Sequence, residues 1–384
     1  MTYFSNRVKA IPPSGIRSFF DLVMSSKGII SLGVGEPDFF TPWAVRDEAI
    51  YRIEKGYTTY TSNKGLEELR IELSKYLRSK FDLDYTKNEF LITNGVSEAV
   101  DIIMRAFINP GDEVILPEPS YVCYKPLIEL CDGVVVPVDT KVSDYIVKAE
   151  EIEKKITTKT KAIIICYPNN PTGTSIAYEE LEKIADLAKK HDLLIFSDEI
   201  YAELSFGSFR SIGTIPGIKE RLIYLNGFSK AHSMTGWRVG YIAAPEYIIE
   251  EVNKIHQYSA LCAPIISQYA ALEACKSTVT EVEKMRLSYL RRAKYFSEKM
   301  TSIGLKTAMP HGGLYCFSCI ESLGLSSMAF AQQLLSEAKV AIVPGNVFGS
   351  CGEGYVRSCI ATDFDDLKVA VERISEFVQK IRNG

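Results

Sequence analysis

The stretch Ala162–Tyr201 reads AIIICYPNNPTGTSIAYEELEKIADLAKKHDLLIFSDEIY, and the order of its parts decides the fold. Ala162 to Cys166 is a continuous apolar run, the pattern of a strand buried on both faces in a parallel sheet. A turn-rich segment, Tyr167-Pro168-Asn169-Asn170-Pro171-Thr172-Gly173, leads to a helix predicted over Tyr178 to Lys190 and then a strand over Leu193 to Ser197. Asp198-Glu199-Ile200-Tyr201 follows. An acid just past the carboxyl end of a parallel strand is where open α/β sheets place ligand chemistry. The plain alternative for Asp198 is a cap on the next turn.

Strands and helices alternate on either side of this unit. Upstream, Phe90 to Thr93 reads as a strand, Asn94-Gly95 as a turn, and a helix starts at Val96 with Ala99, Val100, Ile103 and Phe107 on one face. A glycine and a helix start carrying Ser97 make an anion site, because free N–H groups and the helix dipole point at whatever sits there. The alternative is an ordinary first turn. Strands are expected at Glu113 to Leu116, ahead of Pro117-Glu118-Pro119-Ser120-Tyr121, and at Val134 to Val138. Nearer the N-terminus, helices are expected over Trp43 to Glu54 and Leu66 to Lys80, with Tyr57 and Tyr60 on an exposed loop between them. Half-buried packing is the plain reading of Tyr60. Leu32 to Asp38 is a Gly-rich turn with no helix behind it, so it is not a dinucleotide fingerprint.

Downstream lies Tyr224–Tyr241, YLNGFSKAHSMTGWRVGY. Lys230 follows Ser229 and precedes Arg238 on a loop between apolar runs at 221–225 and 239–244. Gly236 and Gly240 are expected to let the backbone turn tightly. A neighbouring cation lowers an amine pKa and makes the lysine a nucleophile; the alternative is a solvated surface lysine. From Glu281 the pattern changes. A long helix to Met300, Gly312-Gly313-Leu314-Tyr315, a helix near Ser327 to Ala338, short strands at Val340 to Val343 and Tyr355 to Ser358, and a last helix read as α+β. The expected division is 46–280 for a large domain and 1–45 plus 281–384 for a small one, with the N-terminal segment returning to the latter.

The chain has 384 residues, 46% hydrophobic and 24% charged, with a formal net charge of -4. That balance, without any run of five basic residues, offers nucleic acid no field. No apolar signal region and no membrane-length apolar span of about 18 residues is present, so a soluble, cytoplasmic protein is expected. Nine scattered cysteines, an odd number, argue for reduced thiols. Cys316 and Cys319 fall three apart on a predicted strand and point to opposite faces, so no metal site is expected there.

GEPDF from Gly35, TNGVSEA, YPNNPTG, SDEIY, GFSKAHSMTGWRVG and GEGYVRSC, in that order, resemble the class I aminotransferases. These are fold-type I enzymes that use pyridoxal 5'-phosphate, with a mostly parallel central sheet sandwiched by helices and a smaller α+β domain. The resemblance runs from about Ser14 to the C-terminal helix. SGIRSFFDL, VGEPDFFTP and KIHQYS are similar to the bacterial subgroup of aromatic, alanine and N-acetyl-diaminopimelate aminotransferases.

The resemblance implies that Lys230 is the Schiff-base lysine and the base that moves the substrate proton. Asp198 would pair with the pyridine nitrogen, Tyr201 and Asn170 would donate to the ring's phenolic oxygen, and Tyr121 would stack on the ring. The phosphate would lie on Gly95, Val96 and Ser97, with Ser229 and Arg238 completing its shell. Tyr60 would reach it from a partner subunit, which implies a homodimer with shared sites. Arg357, with Gly35 and Asn170 nearby, would hold the substrate α-carboxylate. Some aspartate-preferring relatives carry a lysine where this chain has Ser97. A neutral or aromatic amino donor is therefore expected, with 2-oxoglutarate as acceptor in a ping-pong reaction. The rival on the same fold is a carbon–sulfur β-lyase.

Overall fold

The computed structural model describes residues 3–12 and 28–383. The SGIRSFFDL motif lies outside them. In chain order the strands are β1 (Ile30–Ser31), β2 (Phe90–Thr93), β3 (Glu113–Glu118), β4 (Val134–Asp139), β5 (Thr160–Cys166), β6 (Leu194–Asp198), β7 (Leu222–Gly227), β8 (Gly240–Ala243), β9 (Tyr315–Cys319), β10 (Val340–Ala341), β11 (Val343–Pro344) and β12 (Tyr355–Cys359). Seven form the central sheet in the order β2-β8-β7-β6-β5-β3-β4. The pairs from β7 across to β4 are parallel, and β8 alone runs against its two neighbours.

The continuous apolar runs have a direct cause. Successive residues of a strand face opposite sides of the sheet, and both sides are covered. Ile163, Ile165, Ile195 and Leu222 join one core, which the helices Trp43–Glu54, Glu67–Phe81, Tyr178–His191 and Ile265–Ser277 close. Ala162, Ile164, Phe196 and Ile223 join the other, under Val96–Phe107, Tyr124–Leu130 and Glu246–Ser259.

A third core gathers Leu32, residues of the helix Val279–Ser302, β9, β12 and the C-terminal helix Phe364–Asn383. Here β11, β12 and β9 make an antiparallel sheet, and β1 pairs with β10 in parallel. The apolar run at 340–343 is therefore two strands with different partners, not one. The helix from Ser327 changes to a π turn at Leu334–Ala338 and stops at Lys339, whose φ is 57°. Asn6–Ala10 lies apart from this module: Arg7 Nε donates to Asp132 at 2.8 Å, beyond the end of the helix Tyr124–Leu130.

One loop ties the C-terminal module to the central sheet. On one side, Gly33 O accepts from Arg357 at 2.6 Å and Asp38 accepts from Arg292 at 2.8 Å. On the other, Gly35 O accepts from Lys230 at 2.7 Å, Glu36 accepts from Thr235, and Thr41 donates to Ser233 O at 2.6 Å. Among the described residues no helix is long and apolar enough to cross a membrane.

Candidate active site

A cavity of about 710 Å³ opens where β2, β3, β5, β6 and β7 end. Each strand delivers chemistry there: Ser97 after β2, Tyr121 after β3, Asn170 after β5, Asp198 as the last residue of β6, and Lys230 after β7. Arg357 enters from β12, and Gly35 from the tying loop. Val96, Tyr201, Ser229 and Arg238 line the same cavity, and Gly95 lies directly behind Arg238. Of the residues singled out in the sequence, Tyr60 is the exception. It is 81% exposed and does not line the cavity of this chain.

The anion corner is made by backbone. Gly95, at φ 78°, caps the helix Val96–Phe107, whose first N–H groups have no acceptor within the helix. A Cβ on Gly240 would come within 2.8 Å of Val96 N, so β8 backs this corner only as glycine. Gly236 has no such duty, since nothing lies within 4 Å of a Cβ there. The tight turns expected from the two glycines are instead made by Ser233 and Arg238, both at φ 52°. Arg238 then donates from Nη1 to Thr235 O at 2.9 Å and from Nη2 to Asn94 O at 3.3 Å.

The base of the cavity holds a buried carboxylate. Asp198 accepts from the Tyr124 hydroxyl at 2.7 Å and from Ile200 N–H at 3.1 Å. Burial holds its carboxyl above the usual range, opposed by these donors and the charge of Lys230. The Lys230 amine is pushed down to about 8. Loss of water is the main cause, with Arg357 and Arg238 as lesser ones and Cys359 and Glu36 opposing. The neighbouring cation that the sequence suggested is thus secondary to burial.

Arg357 is fixed on several sides. Nη1 donates to Asn170 Oδ1 at 2.9 Å, Nη2 to Gly33 O, and Nε is buried without a partner among the described residues. Two residues at the cavity wall were missed in the sequence. Tyr124 stands three positions after Tyr121 and opens the helix Tyr124–Leu130, and its bond to Asp198 depends on where that helix packs. Tyr315 closes the quoted Gly312-Gly313-Leu314-Tyr315 segment, but its place depends on strand pairing that no local pattern reveals. Cys316, buried against Ser297, and Cys319, directed at Glu321, fall on opposite faces of β9.

Residues 27–374 match the family described as aminotransferase class I and II. YugH of Bacillus subtilis (strain 168), an aminotransferase by name, is 50% identical over 382 residues, covering 99% of both chains. The aromatic-amino-acid aminotransferase 2 of Thermococcus litoralis is 39% identical over 98% of both. The solved aspartate aminotransferase of Thermus thermophilus with maleate superposes with a TM-score of 0.94 at 34% identity, covering 98% of this chain and 100% of that one. This chain belongs to the class I and II aminotransferases. It is a pyridoxal-phosphate-dependent transaminase with the fold-type I architecture.

The cavity fits that cofactor on its own terms. It joins a glycine-backed anion corner, a part-buried amine of lowered basicity, and a buried carboxylate whose hydrogen-bond partners are neutral. A buried carboxylate of this kind matches a protonated ring nitrogen, since an unpaired buried charge is costly.

Proposed function

We propose that this aminotransferase moves the amino group of a neutral or aromatic L-amino acid to a 2-oxo acid, 2-oxoglutarate first, in two half-reactions of ping-pong type. The carrying observation is a count of charge. Among the described residues the cavity wall holds three cations, Lys230, Arg238 and Arg357, and Ser97 adds none. Arg357 takes the α-carboxylate, with Gly35 and Asn170 beside it, and Arg238 takes phosphate together with Gly95, Val96, Ser97 and Ser229. Lys230 carries the proton to and from the substrate Cα. Among these described residues no wall cation is left for a second carboxylate, whereas Val34, Val122 and Ile200 offer apolar surface to a side chain.

Bound pyridoxal 5'-phosphate supplies the electron sink for the charge left at Cα. With the cofactor bound, Asp198 would keep its ring nitrogen protonated, Tyr201 and Asn170 would hold its phenolic oxygen, and Tyr121 would stack on its ring. The third core supports the division into 46–280 and 1–45 plus 281–384, although Ile200, Tyr201, Leu204 and Ala231 of the larger unit reach into it. The short N-terminal helix Asn6–Ala10, which lies beside the large unit's helix, stands outside it. Uncovered apolar side chains at Phe40, Trp43, Tyr60 and Tyr258 support a homodimer, in which Tyr60 serves the partner's phosphate corner. Nine free cysteines support a reducing, cytoplasmic setting.

The test is a donor panel with 2-oxoglutarate and with an aromatic 2-oxo acid as acceptors, each product identified. Aromatic or neutral donors are expected to exceed aspartate at least about tenfold in kcat/KM, a difference of ~1.4 kcal/mol. Aspartate as the best donor overturns the charge count. Mixing Tyr60→Glu with Lys230→Ala subunits checks the shared site: mixed dimers regain activity only if Tyr60 crosses to the partner.

A further inference from the structure

Tyr315, the first residue of β9, is buried at the cavity wall and has no part in the roles above. It nevertheless touches several of the groups that have one. Its hydroxyl lies 3.1 Å from that of Tyr201. Its ring lies 4.3 Å from the Arg357 guanidinium carbon, and the Phe348 ring lies 4.8 Å from the same atom. Its hydroxyl also fills the space that a Cβ on Gly35 would need, at 1.9 Å.

Strand register accounts for this placement. β9 and β12 pair antiparallel, with Tyr315 opposite Cys359 and Phe317 opposite Arg357. Opposed residues share a face, so Tyr315 and Arg357 are diagonal neighbours, within reach of an aromatic ring and a long side chain. The guanidinium gains a second restraint from the ring besides its bonds to Asn170 and Gly33.

We propose that Tyr315 is a positioning residue with two separable duties: its ring fixes the plane of Arg357 for the substrate carboxylate, and its hydroxyl fixes the direction of the Tyr201 hydroxyl. One side chain then couples capture of the carboxylate to the phenol that tunes the cofactor. The inference rests on the roles proposed for Arg357 and Tyr201.

The two duties are separated by two substitutions in the holoenzyme. Tyr315→Phe keeps the ring and removes the hydroxyl. Tyr315→Leu removes both. The first readout is calorimetric binding of 3-phenylpropanoate, a carboxylate that has no amino group and does not react. Tyr315→Leu is expected to weaken it about tenfold, and Tyr315→Phe to leave it within twofold. The second readout is the pH midpoint of the holoenzyme's visible absorbance, which Tyr315→Phe is expected to move by about half a unit or more. A donor KM near wild type with a lowered kcat should accompany that shift.

Arg357→Leu is the control. If it weakens binding and Tyr315→Leu does not, the ring's duty is overturned while the arginine's role stands. If Arg357→Leu leaves binding unchanged, the carboxylate assignment itself fails, and the ring's duty with it. An unmoved absorbance midpoint in Tyr315→Phe overturns the hydroxyl's duty. That variant matches the native ring in volume, so it carries the hydroxyl's test whatever Tyr315→Leu does, and Tyr315→Met, with the same expected tenfold loss, carries the ring's if Tyr315→Leu does not fold.

Discussion

Arg238 and Arg357 line one cavity and are held in opposite ways. Arg238 is exposed, sits on a left-handed backbone at φ 52°, and leans on two loop carbonyls. Arg357 is 3% exposed, projects from a paired strand, and bonds only neutral oxygens, with no ion pair among the described residues. Charge at the first corner is shared with backbone N–H groups and screened by water, so the arginine there is one donor of several. At the second, a single desolvated cation stands without an anion. Burying a charge unpaired is costly, and a substrate carboxylate brought into the cavity would offset that cost. A shared cradle tolerates loss of a member; a lone buried cation does not.

That contrast orders the expected losses. Arg357→Leu should weaken every amino donor alike, because the α-carboxylate is common to all. Losing one member of a buried pair costs ~2–5 kcal/mol, read as kcat/KM across donors. Arg238→Leu should cost far less, about tenfold in cofactor affinity by titration, and the deficit should shrink as salt is raised because the wild-type contact is itself screened. Equal losses at the two arginines would erase the distinction. A defect of Arg357→Leu confined to acidic donors would move that arginine to the distal end of the substrate.

Legibility in the sequence followed the same divide between local and distant causes. β5, β6 and β7 were readable because burial on both faces writes a continuous apolar run into each. Asp198 and Lys230 stand beside strand ends and a glycine-bearing loop, which the sequence shows directly; Arg357, in the middle of a strand, was reached only through the ordered motifs of the resemblance. Tyr124 and Tyr315 were not readable. Tyrosine is an ordinary core residue, and only the approach of a helix to Asp198, or the pairing of β9 with β12, gives either one a partner. The 340–343 run read as one strand because nothing local shows that Ala341 and Val343 belong to different sheets. The amine of Lys230 was traced to the wrong main cause for a related reason. Nearby arginines are visible in a motif, while loss of water depends on the whole surrounding fold.

The smallest expected effect tests how the first corner is built. Gly236 and Gly240 looked equivalent in the sequence, as two glycines around one arginine. In the fold only Gly240 is pressed, because its Cα faces the backbone of Gly95 and Val96, where an added Cβ would lie 2.8–2.9 Å from Val96 N and Gly95 C. Backbone at that distance cannot swing aside as a flexible side chain could. Gly240→Ala should therefore shift the anion corner, lower cofactor affinity, and cost ~1–3 kcal/mol of stability as overpacking. Gly236 stands in open space outside the left-handed region, within the short 3-10 turn Thr235–Trp237. Gly236→Ala should leave cofactor affinity unchanged and raise stability slightly, by ~0.4–1 kcal/mol, because alanine restricts the unfolded chain more than glycine does. Thermal unfolding and cofactor titration of the two variants side by side decide the matter. If Gly236→Ala damages binding as much as Gly240→Ala, the loop rather than the strand behind it shapes the corner. A neutral Gly236 beside a damaging Gly240 keeps the anion site a product of close backbone approach.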